Sequence, residues 1–592
     1  MTTPNTPPTS RFHADNVPVD NPLPHRLAEG ENATPLEVTG STATDKLVIV
    51  MVGLPATGKT HIAKRICRFL SFFHDIPAQI FNVGDYRRKL CGAQLPAEFF
   101  NPHNHQAQQQ RSMACNAALA EMVEYLRQDG SRVAAFDATN TTKDRRRHIV
   151  QTLRQAAIGC KFMFVESICD SEELLEENIR KVKLSTPDYR DMDPDQAMKD
   201  FKQRRQNYSS VYESVDAHDG PHVKIINSRR FIVDNIRGYL GLKVVHFVMN
   251  LHTLPKTFYF TRHGQSEYNV LGKIGGDSGL SQAGKRYAQR LAQFAKEHIA
   301  KTTIDDDDDD DDDNDKQQQQ QQQQGNDESK DTNGDSSSSS SSSGNNKKKK
   351  KVERPCRLWT STLVRTKETA SFIEHYSFSH TWDNGDTIDW VQFRPKPRRN
   401  LDELYAGVCD GMTYREIEQV FPEEFRRRQE DKLCYRYPRG ESYMDVTLRL
   451  EPVAQEMERI REPVLIVAHQ GILRILYAYF MGLDRREAPY VSIPLNNVIE
   501  LQPHAYGCHE KRYCLMSKEE MLGDDGQDEP VTSMPVSVTS RHSSSNLAGI
   551  MHDKNDDGGG GGGPDQDNGK DTENNHEEPY PANDPVMNAP SC

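Results

Sequence analysis

Two sets of residues in this 592-residue chain have types and spacing suited to moving phosphoryl groups. In the first, Gly53, Gly58, Lys59 and Thr60 fit G-x-x-x-x-G-K-[ST]. Glycines there let backbone N–H groups close around a phosphate chain, and the helix N-terminus adds its positive end. Lys59 would reach β/γ-phosphates and Thr60 would hold Mg²⁺. Asp137 opens Asp137-Ala-Thr-Asn-Thr-Thr-Lys-Asp-Arg145. A carboxylate beside a phosphate loop can hold Mg²⁺ or take an acceptor's proton. Arg87, Arg88 and Arg111 are further cations for an anionic acceptor. In the second set, Arg262-His-Gly264 is joined downstream by Arg365, Ala468-His-Gln470 and Arg474. Two histidines among arginines suit a phosphate monoester. A neutral imidazole can attack phosphorus to give a phosphohistidine, and a carboxylic acid can protonate the leaving alcohol. Glu403, in Leu401-Asp-Glu-Leu-Tyr-Ala-Gly407, is the candidate acid. Paired histidines also suit a metal, but no H-x-x-x-H or Cys/His spacing accompanies them.

These residues need strands to carry them. Leu47 to Val52 is an apolar run that breaks at Gly53, and Ile62, Ile66, Phe69, Leu70 and Phe73 then fall on one helical face. Strand-like runs at Gln79–Val83, Arg132–Phe136 and Lys161–Val165 alternate with helical ones near Ala114–Leu126, Arg145–Gln155 and from Ser171. That alternation predicts a mostly parallel sheet with ligands at the carboxyl ends of its strands. A second α/β unit opens at Thr257–Gly264 and runs through Leu358–Ser361 and Val464–His469 to about Cys508.

Composition bounds the rest. The length calls for more than one core. A net charge of −13 argues against nucleic acid as the main partner. Scattered cysteines without a C-x-x-C pair read as reduced thiols of a cytoplasmic protein, and no apolar run is long enough to span a membrane. The expected division is a disordered tail at 1–44, a P-loop unit at 45–246, a second unit at 247–510 and a disordered tail at 511–592. The second unit is broken by a low-complexity insert at 302–352, whose Asp, Gln, Ser and Lys runs are too polar to pack.

The first unit looks like a P-loop sugar-phosphate kinase, and the second like the histidine phosphatase superfamily, whose fold is the phosphoglycerate mutase-like α/β type. Their order resembles one family closely, 6-phosphofructo-2-kinase/fructose-2,6-bisphosphatase. The stretches Phe136–Thr142, Glu166–Cys169, Val182–Leu184, Pro187–Tyr189, Ile274–Ser281, Tyr435–Pro438 and Gly440–Tyr443 carry that resemblance. It implies that Gly53, Leu54, Pro55, Ala56, Thr57, Gly58, Lys59 and Thr60 bind ATP with Mg²⁺, helped by Asn178 and Lys183. It implies that Arg87, Arg111, Thr139, Arg145, Lys183, Arg204 and Tyr208 hold fructose 6-phosphate, with Asp137 and Cys169 in the active site. For Cys169 a small buried side chain is an equally good reading. In the second unit it implies His263 as nucleophile, Glu403 as proton donor and His469 as support for the transferred group. Arg262, Asn269, Gly275, Arg365, Tyr414, Arg428, Lys432, Tyr443, Gln470 and Arg474 would hold fructose 2,6-bisphosphate. A homodimer is implied as well.

The chain departs from the common pattern at Thr57, Gln265 and Lys273, where many members carry Arg, Glu and Arg, and in the insert. The leading expectation is a bifunctional enzyme that makes and destroys fructose 2,6-bisphosphate. The alternatives are a chain with one working half, and a catalytically silent sensor or scaffold.

Overall fold

β1 (Leu47–Val52) is buried along its whole length, which is what an all-apolar run of six residues requires. It lies inside a six-stranded sheet in the structure, a computed structural model that describes residues 45–180, 186–189, 192–252, 256–305, 349–382, 385–504, 507–517, 520 and 537–544. After β1 come α1 (Lys59–His74), β2 (Ala78–Asn82), α2 (Val83–Cys91), α3 (His105–Arg127), β3 (Val133–Asp137), α4 (Lys143–Gln155) and β4 (Lys161–Ile168). Then follow α5 (Glu172–Asn178), α6 (Pro194–Ser209), β5 (His222–Ile226), β6 (Arg230–Asp234) and α7 (Tyr239–Asn250). The strand order is β2-β3-β1-β4-β5-β6, parallel except for β6 against β5.

The second unit contains β7 (Phe258–Arg262), α8 (Glu267–Val270), α9 (Gln282–Phe294), β8 (Lys301–Asp305), β9 (Lys349–Glu353), β10 (Arg357–Thr360) and α10 (Val364–Ala370). Next are β11 (Ser377–Thr381), β12 (Thr387–Val391), β13 (Pro395–Pro397), α11 (Tyr414–Val420), α12 (Pro422–Glu430) and α13 (Tyr443–Arg459). It closes with β14 (Val464–Ala468), α14 (Gln470–Met481), β15 (Asn497–His504), β16 (Gly507–Cys514) and β17 (Ser537–Ser544). Its main sheet has the order β13-β10-β14-β7-β15-β16-β17, with β13, β10, β14 and β7 parallel. Every residue of α14 from Gly471 to Met481 is buried, as expected of a helix that is apolar on all sides.

Three expected boundaries need correction. Position 246 falls inside α7, because the apolar spacing continues through Phe247 and Val248, and Phe247 stacks on Phe69 of α1 at 4.4 Å. Position 510 falls inside β16, which extends to Cys514 and is followed by the buried Leu515 and Met516. Residues 537–544, expected in a disordered tail, pair with β16 as an antiparallel edge strand, whose backbone hydrogen bonds need no particular side chains. The ends of the insert pair as β8 and β9, while residues 306–348 and 1–44 lie outside the described residues.

Candidate active sites

Gly53 follows β1 directly, with φ at 139°. A side chain there would put Cβ 2.4 Å from the Ser167 carbonyl oxygen, so the loop can pass β4 only as glycine. The Gly53 N–H donates to the Thr139 carbonyl at 3.0 Å, which ties the loop to the segment after β3. Gly58, left-handed at φ 88°, caps α1. Lys59 is buried at the first position of α1, and its ammonium donates to the Leu54 carbonyl of its own loop. Asp137 is 2% exposed at the end of β3 and accepts a hydrogen bond from the Asn82 amide. Pro55 to Thr60, Asp137, Thr139, Arg145, Cys169 and Asn178 line one cavity of about 2750 Å³ together with Arg87, Arg111, Arg204 and Tyr208. Gly53 and Leu54 complete the loop without lining that cavity. Lys183 lies outside the described residues.

Within this cavity the arginines are already organised. Arg87 donates twice to Asp188 at 2.7 and 2.8 Å, and Arg88 and Arg204 each approach the same carboxylate at 3.4 Å. Burial acts to raise the Asp188 pKa, but Arg87, Arg204 and Arg88 together bring it below the usual carboxylate value. Arg204 also lies 3.7 Å over the Phe100 ring. Cys169 is half-buried, and burial raises its thiol above the ordinary value, which keeps it neutral at neutral pH. Sequence reasoning missed Asp188, Asn82 and Arg205, which donates to the Pro55 carbonyl at 2.6 Å. Asp188 stood in a quoted stretch, but one aspartate gives no sign of which cations it will meet.

The second site forms at the carboxyl ends of β7, β14 and β10. His263 is 4% exposed, and its backbone N–H donates to Ala468 across the β7–β14 pair at 3.0 Å. His263 Nδ1 lies 2.7 Å from the Gly264 carbonyl oxygen. A carbonyl only accepts, so Nδ1 carries the proton and Nε2 keeps its lone pair. Gly264 packs against Gly284, whose oxygen would lie 2.5 Å from an added Cβ. The rings of His263 and His469 are 5.1 Å apart, and His469 Nε2 lies 2.7 Å from the Ser361 hydroxyl. Both imidazoles are pushed well below their ordinary pKa, by burial first and then by Arg365, with Arg262 adding to it.

Glu403 sits opposite the start of α14, where the Gly471 N–H reaches its carboxylate at 3.4 Å. A Cβ on Gly471 would meet Glu403 Oε1 at 2.6 Å, so glycine makes room for the acid. Arg262, brought down to about 10 by burial, feels Glu403, Arg474, Arg365 and Tyr443. Arg365 donates to the Gly276 carbonyl at 2.7 Å, beside Gly275, and Arg474 Nη1 lies 3.3 Å from the Tyr443 hydroxyl. Gln470 is the first residue of α14. Tyr414 and Arg428 meet each other at 2.9 Å on an exposed edge, and Lys432 is buried beside the Tyr490 ring. Asn269 uses its side-chain oxygen to accept from Ser266 at the start of α8, a local role that spacing did not reveal. Ser361, missed as a site residue, stood in the quoted strand but showed nothing of its reach to His469.

Of the departures, Gln265 turns its amide oxygen to the Ser281 hydroxyl at 2.8 Å, Lys273 lies 5.6 Å from the Tyr268 ring, and Thr57 donates within the loop to Leu54 at 3.0 Å. Among the described residues no group of three or more His, Cys, Asp or Glu is placed to hold a metal ion.

Comparison with known proteins matches residues 36–255 to the 6-phosphofructo-2-kinase family model, and residues 258–304 and 346–515 to the Histidine phosphatase superfamily (branch 1) model. The gap in the second match coincides with the insert. The chain is 36% identical over 504 residues to 6-phosphofructo-2-kinase/fructose-2,6-bisphosphatase 3 of Rattus norvegicus, covering 84% of this chain and 76% of that protein. It is 38% identical over 479 residues to 6-phosphofructo-2-kinase/fructose-2,6-bisphosphatase of Caenorhabditis elegans, covering 79% and 89%. It is 37% identical over 467 residues to Fructose-2,6-bisphosphatase of Saccharomyces cerevisiae, covering 78% and 87%. With a phosphate loop, two facing histidines and relatives matched over most of their length in agreement, the chain belongs to the 6-phosphofructo-2-kinase/fructose-2,6-bisphosphatase family.

Proposed function

We propose that the first site makes fructose 2,6-bisphosphate from ATP and fructose 6-phosphate, and that the second hydrolyses it back to fructose 6-phosphate and phosphate. The observation that carries this reading is that one chain brings a phosphate loop beside Asp137, and two histidines among arginines beside Glu403, to the strand ends of two sheets. The kinase unit extends from about Asp45 to Asn250, and the phosphatase unit from Phe258 to Met516. Gly53 to Thr60 would hold the ATP phosphates, with Asn178 and Lys183 beside the nucleotide. The hydroxyl of Thr60 and the carboxylate of Asp137 are hard oxygen donors and fit Mg²⁺ bound with ATP, which would neutralise phosphate charge. Arg87, Arg111, Thr139, Arg145, Lys183, Arg204 and Tyr208 would hold fructose 6-phosphate, and Asp137 would accept the proton of its 2-hydroxyl. Lys59 would leave the Leu54 carbonyl for the β/γ-phosphates. Cys169, as a neutral thiol, would line the pocket.

In the second site Nε2 of neutral His263 attacks the 2-phosphate and the P–O bond to fructose breaks. Protonated Glu403 donates to the departing oxygen, then takes a proton from the water that clears the phosphohistidine. Arg262, Arg365, Arg474 and His469 stabilise negative charge on the phosphoryl oxygens, and the start of α14 at Gln470 adds its positive end. Asn269, Gly275, Tyr414, Arg428, Lys432 and Tyr443 would complete the sugar-bisphosphate pocket.

A cytoplasmic homodimer accompanies this reading. Edge strand β6 exposes Ile232 and Val233, one on each face, and α7 exposes Leu242 and Met249, apolar side chains that a second copy would cover. The narrower reading of a chain with one working half finds no support in the comparisons, which match both units. Assaying both directions on one sample separates the readings. Rapid base quench with fructose 2,6-bisphosphate radiolabelled on the 2-phosphate should leave label on His263, and His263→Ala should abolish it with most turnover. Turnover without label on His263 would make direct attack by water the better mechanism.

A further inference from the structure

The cavity that holds the kinase residues does not end with them. Its volume of about 2750 Å³ is several times the roughly 300–1,000 Å³ of an ordinary ligand pocket, and it continues into the junction with the phosphatase unit. There α1 presents His61, Lys64 and Arg65, one turn of a single helical face, while Lys256 comes from the connection and Arg461 and His504 from the phosphatase side. Two carboxylates face this end, Glu458 and Glu462, and both are already engaged. Glu458 is paired with Arg65 and Lys256 and accepts from the Tyr479 hydroxyl at 3.0 Å, while Glu462 holds Arg357 at 3.0 Å. Lys64, Arg65 and Arg461 outnumber these two carboxylates.

Two donors here lack acceptors. Arg65 is 5% exposed, yet its Nε is buried without a hydrogen-bond partner. Arg461 donates to His252 Nε2 at 2.8 Å, which leaves the proton of that ring on Nδ1, and Nδ1 is also buried without a partner. These groups lie within range of one another: His61 is driven well below its ordinary pKa by burial, then by Arg65, Lys256, His504 and Lys64, and Lys256 well below its own by burial and Arg65. Buried donors without acceptors and unbalanced charge each cost stability unless something compensates them.

We infer that the kinase–phosphatase junction is a binding site for a small polyanion, a metabolite carrying several phosphate or carboxylate groups, distinct from both substrate pockets. It depends on the proposed function only for the ligands used to fill those pockets. The test is equilibrium dialysis of the full chain saturated with fructose 6-phosphate and a non-hydrolysable ATP analogue, using inorganic pyrophosphate and, separately, tricarballylate. Binding of either probe should persist, and the tighter one identifies phosphate or carboxylate as the preferred group. Lys64→Ala and Arg461→Ala should each weaken it at least tenfold, while KM for fructose 6-phosphate and for fructose 2,6-bisphosphate stays unchanged. Absence of probe binding once the substrates are present would overturn the site. Binding of unchanged affinity in both variants would also overturn it, because the anion would then sit in a substrate pocket. Failure of the functional reading would show instead as missing activity in the unmodified chain.

Discussion

At the scale of single residues, the proton on His263 decides the proposed phosphatase chemistry. Burial, with Arg365 and Arg262, holds its pKa well below the ordinary 6.5. The imidazole is then neutral throughout the neutral range, and the acid limb of phosphatase kcat/KM should lie below pH 6.5. A pH–rate profile whose acid limb sits at the ordinary histidine value would contradict the buried, arginine-flanked geometry. The same shifts bear on stability. Below pH 6.5 the unfolded chain takes up protons that folded His263 and His469 do not, so resistance to urea should fall as pH drops through and below that value. Lys59 gives a second residue-scale prediction. Lys59→Ala should remove kinase activity, by more than about 100-fold, because positioning and electrostatics supply most of phosphoryl transfer. Phosphatase turnover should stay within about twofold, since Lys59 belongs to the other sheet; parallel assays of a folded variant decide it, and joint loss would count against two independent sites.

At the scale of elements, the insert is entered and left through the paired strands β8 and β9. Asp305 lies opposite Lys349 and Lys301 opposite Glu353, so the chain leaves and re-enters the unit at neighbouring points. Loop closure of that kind costs little more for a long loop than for a short one, which lets the polar runs persist. Replacing residues 306–348 by a two-residue Asn-Gly turn should leave both activities within about threefold, because a hairpin turn of that length can join β8 to β9. A soluble deletion variant without phosphatase activity would show that the insert shapes the site. α14 is the opposite case, with its N-terminus among the phosphatase residues and every residue from Gly471 to Met481 buried.

At the scale of the whole molecule, the two units are joined through α1, α13 and α14. Arg68 of α1 donates to the carbonyls of Tyr479 and Phe480 at 3.2 Å, capping the C-terminus of the phosphatase helix, and Gly482 leaves the space its guanidinium fills. Phe72 and Phe73 pack on Tyr479 at 5.6 and 4.9 Å. Buried Glu458 of α13 balances Arg65 from the kinase side and Lys256 from the connection. Glu458→Ala should destabilise the chain by about 3–5 kcal/mol, because it strands two buried cations. Urea denaturation measures this, and a loss under about 1 kcal/mol would mean that water reaches the junction and solvates the pair.

The sequence by itself determined the two α/β units, the phosphate loop, and the strand ends that carry Arg262-His-Gly264 and His469. These are local matters, since strand-ending glycines and apolar spacing within about fifteen residues settle where each group leaves its strand. Only the tertiary structure decided that Asp188 gathers Arg87, Arg88 and Arg204, that Ser361 meets His469, and that Asn269 serves α8. It also decided that α1 has a second, basic face turned to the phosphatase unit. Those partners lie up to about four hundred residues apart, as Arg65 and Glu458 do. A charged side chain carries no sign of its future partner; the contact follows from which helix faces stay uncovered once each sheet has closed its own core.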